Sequence, residues 1–339
     1  MSSPLASSVP MALFGLAITA GCQSQMKTTE EGQLTWRNVE HESVTALDAN
    51  GHLMFELRYG PTEDEPAIHP VGLPGAAALT RDRPSDHPWH HGLWFAWKYI
   101  DGINYWEHGP DGRPVGRTTW GEPKFDIYPD GSARVSLELS YGHAEPRTPL
   151  SESGTEPDAR LRESRELTIH PPANDGTWAM DWESSFRAVS AAVTLDRTPM
   201  LGEPDGVFYG GYAGLSLRLV QLIDRQVTTI EGTVPFSSNS RAQPHGNALD
   251  YSGRTSEGAP LVGIAVFEHP DNLRCPRSWY AIRSDTMTFF TPAVLAEGPL
   301  IVEPKKDLQL AWRIVVHPGS WTPARISSER SQYLTSLVP

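Results

Sequence analysis

Leu308, Leu310, Trp312, Ile314 and Val316 alternate with Gln309, Ala311, Arg313, Val315 and His317. A period of two puts the first set on one face of an extended chain, which predicts a strand with one buried side. The pattern recurs. Phe55, Leu57 and Tyr59 alternate with Glu56 and Arg58, and Val135, Leu137, Leu139 and Tyr141 with Arg134, Ser136, Glu138 and Ser140. Pro260-Leu-Val-Gly-Ile-Ala-Val-Phe267 is apolar on both faces and predicts a central, buried strand. Half-solvated alternation belongs to antiparallel sheets. The 30 prolines and 29 glycines are too many for a helical protein and suit short strands joined by turns. The expected fold class is all-β, a large antiparallel β-sandwich or a barrel. The tail from Thr322 to Pro339 is the exception, a short helix with Thr322 as N-cap and Pro323 at its first position.

Residues 33–339 read as a single β-sandwich domain without internal repeats, interrupted by a surface loop over residues 144–162. Residues 1–22 are a different kind of segment. The apolar run Met11–Gly21 is too short to span a bilayer as a helix but has the size of a signal-peptide core. Thr19-Ala-Gly-Cys22 resembles a bacterial lipoprotein cleavage site. The expectation is export to the periplasm or cell surface, with a lipid anchor at Cys22 and residues 23–32 as a polar tether. No later stretch approaches the ~20 apolar residues of a membrane-spanning helix. A net charge of −13 argues against nucleic acid or an anionic membrane surface as partner, since both require basic patches. It leaves neutral ligands such as sugars open.

Most chemistry-bearing residues gather in Arg81-Asp-Arg-Pro-Ser-Asp-His-Pro-Trp-His-His-Gly-Leu-Trp-Phe-Ala-Trp-Lys98. Pro88 pushes His87 toward an extended conformation, Gly92 disfavours helix, and Leu93–Trp97 has strand composition. The stretch therefore reads as a loop that feeds imidazoles and indoles into a strand. His90 and His91 can serve as acid, base, metal ligand or polar anchor, or one can be a buried histidine bonded to a backbone carbonyl. Glu107, in Tyr105-Trp-Glu-His-Gly109, reads as a general base with a raised pKa or as a salt-bridged carboxylate at a turn. The glycines of Tyr209-Gly-Gly-Tyr-Ala-Gly214 suggest close backbone approach rather than a phosphate loop. Arg218 alternates with Leu217 and Leu219, pointing to a pocket or to solvent. His269, Asn272 and Arg274 follow the buried strand and are expected at one sheet end. His245 and Asp250 are weaker candidates, and Cys275 beside Pro276 is unconvincing as a nucleophile.

His87-Pro-Trp-His-His-Gly-Leu-Trp-Phe-Ala96, Asn104-Tyr-Trp-Glu107, Tyr209-Gly-Gly211, Asp250-Tyr-Ser-Gly253, Phe267-Glu-His-Pro-Asp-Asn272 and Trp312-Arg-Ile-Val-Val-His-Pro-Gly319 together resemble the bacterial PmoA-like family, over roughly residues 35–320. Trp89 stands where the family pattern commonly has histidine, and His91 where it has arginine, so no role for His91 carries over. The family label implies a methane monooxygenase subunit, a bundle of membrane helices that this sequence lacks. The fold the resemblance implies is the antiparallel supersandwich of the galactose-mutarotase type, whose members bind pyranoses with His, Glu and Arg.

The leading functional expectation is a carbohydrate-active acid–base enzyme of the epimerase, mutarotase, lyase or hydrolase type. Its catalytic set would be His90, His91, Glu107 and His269, with substrate held by His87, Trp89, Trp94, Arg218, Asn272 and Arg274. No cofactor is needed for that chemistry. A non-catalytic carbohydrate-binding surface protein fits the same tryptophans and tether. A third reading is a metal site built from His87, His90 and His91, with His269 as a further ligand.

Overall fold

The computed structural model describes residues 25–27, 34–143 and 158–337. The segments expected as signal, anchor and tether lie outside these residues except for 25–27, as does most of the expected loop at 144–162. Leu161 and Arg162 are not loop. They begin the strand Leu161–Ile169.

Among the described residues, two large antiparallel sheets pack face to face, the expected sandwich. One has eleven strands. Its centre runs Leu53–Arg58, Ala67–Val71, Leu93–Ala96, Gly214–Leu219, Thr288–Pro292 and Arg277–Arg283. The other has ten, with Trp178–Ala188, Leu308–Pro318, Leu261–Glu268 and Ala248–Arg254 in the middle. The strand read as buried on both faces, now Leu261–Glu268, pairs on both sides, with Ala248–Arg254 and with Leu308–Pro318.

The main core lies between the sheets. Leu93, Phe95, Leu215, Leu217 and Phe290 come from one side, and Phe186, Leu310, Trp312, Ile314 and Tyr251 from the other. Phe95 meets Phe186 at 5.1 Å and Trp312 at 6.1 Å between ring centroids, offset contacts that aromatic quadrupoles favour. An ion pair is sunk into this apolar layer. Glu163 and Arg165 occupy inward positions of Leu161–Ile169 and are 0% and 2% exposed. Arg165 donates from Nε (2.7 Å) and a terminal nitrogen (3.0 Å) to the two oxygens of Glu163, which also accept from Ser184 (2.6 Å) and Tyr141. The guanidinium lies 4.7 Å over the Trp182 ring. With its donors and acceptors matched, the pair meets the condition on which charge tolerates burial.

Each sheet also has an outer face. That of the ten-stranded sheet is covered by the helix Pro323–Ser336, through Ile326 and Tyr333, and by Trp321 just before it, all packed with Phe267 and Val315. Thr322 caps this helix by accepting from the backbone N–H of Arg325 (3.3 Å), as its position before Pro323 predicts. Among the described residues no helix is long and apolar enough to cross a membrane. The outer face of the eleven-stranded sheet carries its own apolar cluster, which includes Trp94, Tyr280, Ile282 and Phe289. A hollow stands on it.

Candidate functional site

Period two explains the floor of the hollow. In Leu93–Ala96 the residues Leu93 and Phe95 enter the main core, so Trp94 and Ala96 face outward. Trp279 and Ala281 likewise turn in while Tyr280 and Ile282 turn out, and Phe290 turns in while Phe289 turns out. Leu217 and Leu219 belong to the core, which puts Arg218 on the outer face opposite Phe289. Arg218 thus faces neither solvent nor the open space of the hollow but is buried behind its wall.

Above this floor is a half-open hollow of about 290 Å³. His87, Trp89, His90, Trp106 and Glu107 line one side, and Tyr209, Tyr212, Arg241, Tyr280 and Phe289 much of the rest. The loop before Leu93 delivers the first three residues. Gly92 sits at φ +84°, and a Cβ there would press on the Ile68 carbonyl oxygen at 2.8 Å, so the loop reaches the sheet only with glycine at this point. A side chain on Gly210 would collide with the Pro199 carbonyl, which accounts for the glycines that bring Tyr209 and Tyr212 to the rim.

Glu107 is held by an Asx turn. The Asn104 side-chain oxygen accepts from the backbone N–H groups of Trp106 (2.8 Å) and Glu107 (3.1 Å), while its amide donates to Glu107 Oε2 (2.7 Å). Buried Lys98 also donates to Oε2, and the Tyr212 hydroxyl donates to Oε1 (2.9 Å). Burial pushes the carboxyl up, but Lys98, Asn104 and Tyr212 outweigh it and hold Glu107 below the usual carboxylate range. The raised pKa expected of Glu107 is therefore corrected. The residue is an ionised acceptor whose charge is already compensated.

His90 is only 4% exposed and lies between the Trp94 and Phe289 rings, at 5.1 and 5.3 Å. Burial, reinforced by His87, Arg218 and His91, drives its pKa well below the ordinary imidazole value, so the ring is neutral. Arg218 approaches Nδ1 at 3.4 Å. A guanidinium can only donate, so Nδ1 accepts and the proton sits on Nε2. Arg218 is anchored by both oxygens of Asp86 (3.0 and 2.9 Å) and by the Thr286 carbonyl (3.1 Å). Asp86 in turn accepts from Nδ1 of His87 (3.1 Å). Burial raises the Asp86 carboxyl, but Arg218 and His87 hold it below its usual value, so it is ionised and can only accept. His87 Nδ1 therefore carries the proton, and its Nε2 is left as a lone pair.

The hollow unites His87, Trp89, His90 and Glu107, with Trp94 beneath them and Arg218 behind. It does not include the others. His91, adjacent to His90, turns to Asp64 and Asp82, so His87, His90 and His91 do not share one metal site. His269 lies over the helix-covered face of the other sheet, edge-on to Tyr333 at 6.5 Å. Asn272 exchanges two 2.7 Å hydrogen bonds with the backbone of Ala311, standing in for a strand partner. Arg274 caps the carbonyls of Val294, Gly298 and Pro299. These three residues brace loops, because the end of the strand Leu261–Glu268 opens away from the hollow. Asp250 is fully buried against His317 (2.7 Å), and His245 lies on the surface.

Asp86, Lys98, Trp106, Tyr212, Arg241, Tyr280 and Phe289 were not legible as site residues. Tyr280 and Phe289 could have been found as outward-facing aromatics on strands whose alternate residues are core. Asp86 could have been found as the carboxylate next to His87.

The sequence matches, over residues 44–330, the profile of a family described as "Family of unknown function (DUF6807)", a description without a methane-oxygenase label. A search of curated proteins finds no match. Similar solved structures include the galactosidase domain of an alpha-galactosidase–sucrose kinase, AgaSK, at 8% identity and TM-score 0.37, covering 87% of this chain and 42% of that one. This chain thus spans less than half the length of that galactosidase chain. A candidate mutarotase, YeaD, from Salmonella typhimurium is 12% identical with TM-score 0.33, covering 88% and 97%. A TPR-domain protein from Parabacteroides distasonis is 10% identical with TM-score 0.35, covering 84% and 47%.

Proposed function

This chain belongs to DUF6807, a family of unknown function, and from that premise and the site we propose that it is a carbohydrate-active enzyme moving protons on a neutral sugar bound in the hollow. One observation carries this reading. His87, His90 and the ionised carboxylate of Glu107 line one aromatic-walled cleft, with Nδ1 of each imidazole already engaged, by Asp86 and by Arg218. Small-molecule sites are concave and mostly apolar, with a few placed polar groups, and about 290 Å³ falls at the small end of their range, room for one or two sugar rings. Tryptophan and tyrosine rings suit the C–H faces of a pyranose, and the polar groups suit its hydroxyls.

Each polar group has a distinct part. Asp86 orients His87 and stabilises the imidazolium that forms when Nε2 takes a proton, the arrangement by which a carboxylate supports a histidine base. His90, with Nδ1 committed to Arg218, donates from Nε2 to the sugar oxygen on which negative charge grows. Glu107 accepts from a sugar hydroxyl and fixes the ring's orientation. Saturation-transfer NMR and tryptophan fluorescence with a panel of neutral monosaccharides and methyl glycosides test the reading, followed by mass spectrometry and NMR of the products. At least one sugar is expected to bind and be converted. Binding without conversion would make the protein a carbohydrate-binding one, and no binding across the panel would overturn the reading.

The same proposal places the protein outside the cytoplasm, tethered through Cys22, on the motif Thr19-Ala-Gly-Cys22. Cys22→Ser is expected to move the full-length chain from the membrane fraction to the soluble fraction of cells. Unchanged fractionation removes the anchor.

A further inference from the structure

His91 sits one residue from His90 yet serves a different cluster. Its ring is 1% exposed, with Nε2 at 3.7 Å from Asp64 Oδ2 and Nδ1 at 3.4 Å from Asp82 Oδ1. His108 approaches the same Asp64 oxygen at 2.9 Å through Nε2. The donor atoms of Asp64, His91 and His108 all lie within 4.8 Å of one another. We propose that these three residues bind a divalent transition-metal ion of the zinc class beside the hollow. This inference stands on its own geometry and does not depend on the sugar reading.

Three observations point to a cation. The nearby carboxylates Glu63 and Asp82 are matched by arginines: Arg83 pairs with Glu63 (2.5 Å) and Asp82 (3.3 Å), and Arg58 with Asp82 (2.8 Å). The close contacts of Asp64, whose side chain is nearly buried, are with the two imidazoles, and Arg83 acts on it only at longer range. Second, His91 stands between two carboxylates and reaches neither closely, at 3.7 and 3.4 Å. Its Nδ1 makes no well-formed hydrogen bond. A metal on Nε2 satisfies that side as a lone-pair acceptor and frees the ring proton for Nδ1, facing Asp82. Histidine ligands are commonly backed by a carboxylate on the second nitrogen in this way. Third, the two separations from Asp64 suit the ion, and the two imidazole nitrogens lie within 4.8 Å of each other. Zinc ligands at ~2.1 Å in tetrahedral array lie roughly 3.4 Å apart, between the 2.9 and 3.7 Å found here.

Two histidines and one carboxylate leave at least one position for water or another ligand. The cluster also touches the hollow, because the Trp89 ring lies 5.8 Å from that of His108. A bound ion would therefore stiffen the wall that carries His87, Trp89 and His90.

The test uses metal alone, so a failure of the sugar reading does not affect it. Full-length protein purified without an affinity tag and stripped with chelator is titrated calorimetrically with Zn²⁺. Co²⁺ is then substituted and its visible spectrum recorded. One equivalent is expected to bind, with a raised Tm and cobalt absorption of low-coordinate intensity. His108→Gln, at the most exposed of the three ligands, and Asp64→Asn are expected to weaken Zn²⁺ binding at least about 100-fold while far-UV circular dichroism stays native. Asp82→Asn should weaken it about 10–100-fold, the usual effect of losing the carboxylate behind a histidine ligand. His245→Ala, on the surface, should bind as the parent does. Absence of stoichiometric binding overturns the proposal, as does binding that His108→Gln and Asp64→Asn leave intact.

Discussion

Replacing His87 with alanine is expected to lower turnover of the converted sugar by about 10²–10⁴-fold, the range that a positioned general base contributes. The sugar's Kd should change little, because Trp89, Trp106, Tyr212 and Glu107 remain. His87 is about one-third exposed and its principal polar partner is Asp86, so its removal leaves no core cavity. Asp86→Asn should fall between the variant and the parent. Arg218 keeps the Thr286 carbonyl and one side-chain oxygen but loses its carboxylate partner, so unfolding curves accompany the kinetics, and an amide no longer favours the Nδ1–H tautomer of His87 or the imidazolium. A His87→Ala protein that converts the sugar at the parental rate would exclude His87 as the base. Glu107→Gln distinguishes the alternative. It is expected to raise KM more than it lowers kcat, and a collapse of kcat at constant KM would make Glu107 the base instead.

Arg165→Met is expected to cost about 3–5 kcal/mol of folding free energy, the usual penalty for leaving one member of a buried ion pair uncompensated. Against a total of roughly 5–15 kcal/mol for a typical domain, that is enough to bring the chain close to unfolding at growth temperature. Glu163 would keep Ser184 and Tyr141 as donors but lose the guanidinium paired with it, in a layer sealed between two sheets. The double variant Arg165→Met with Glu163→Leu should recover most of the loss, because two apolar groups of similar bulk remove both charges. Urea unfolding curves compare the three proteins. A single variant as stable as the parent would show that the pair contributes nothing to the fold.

The strands were legible because their period of two is a direct consequence of one wet and one dry face. Leu310, Trp312, Ile314 and Val316 are buried, and Phe55, Leu57 and Tyr59 likewise. The C-terminal helix was legible from Thr322 and Pro323 alone. The strand Leu161–Ile169 was obscured at its start because Leu161 and Arg162 follow directly on a run rich in proline, glycine and charge and are continued by the charged Glu163 and Arg165, so no apolar alternation marks the boundary. At the site, His87, Trp89, His90 and Glu107 come from two short stretches only about 20 residues apart, and local composition was enough to single them out. His269, Asn272 and Arg274 misled because a strand end names an edge of the molecule but not which one. His91 misled for a simpler reason. Neighbours along an extended chain point in opposite directions, so two adjacent imidazoles rarely share a task.

The hollow stands on the far side of a sheet whose inner side belongs to the main core, and the two apolar clusters draw on alternate residues of the same strands. Substitutions at Tyr209 or Arg241 can therefore reshape the lining of the hollow while the layer that keeps the chain folded stays untouched. The shape of the hollow and thermal endurance can drift independently in such a molecule.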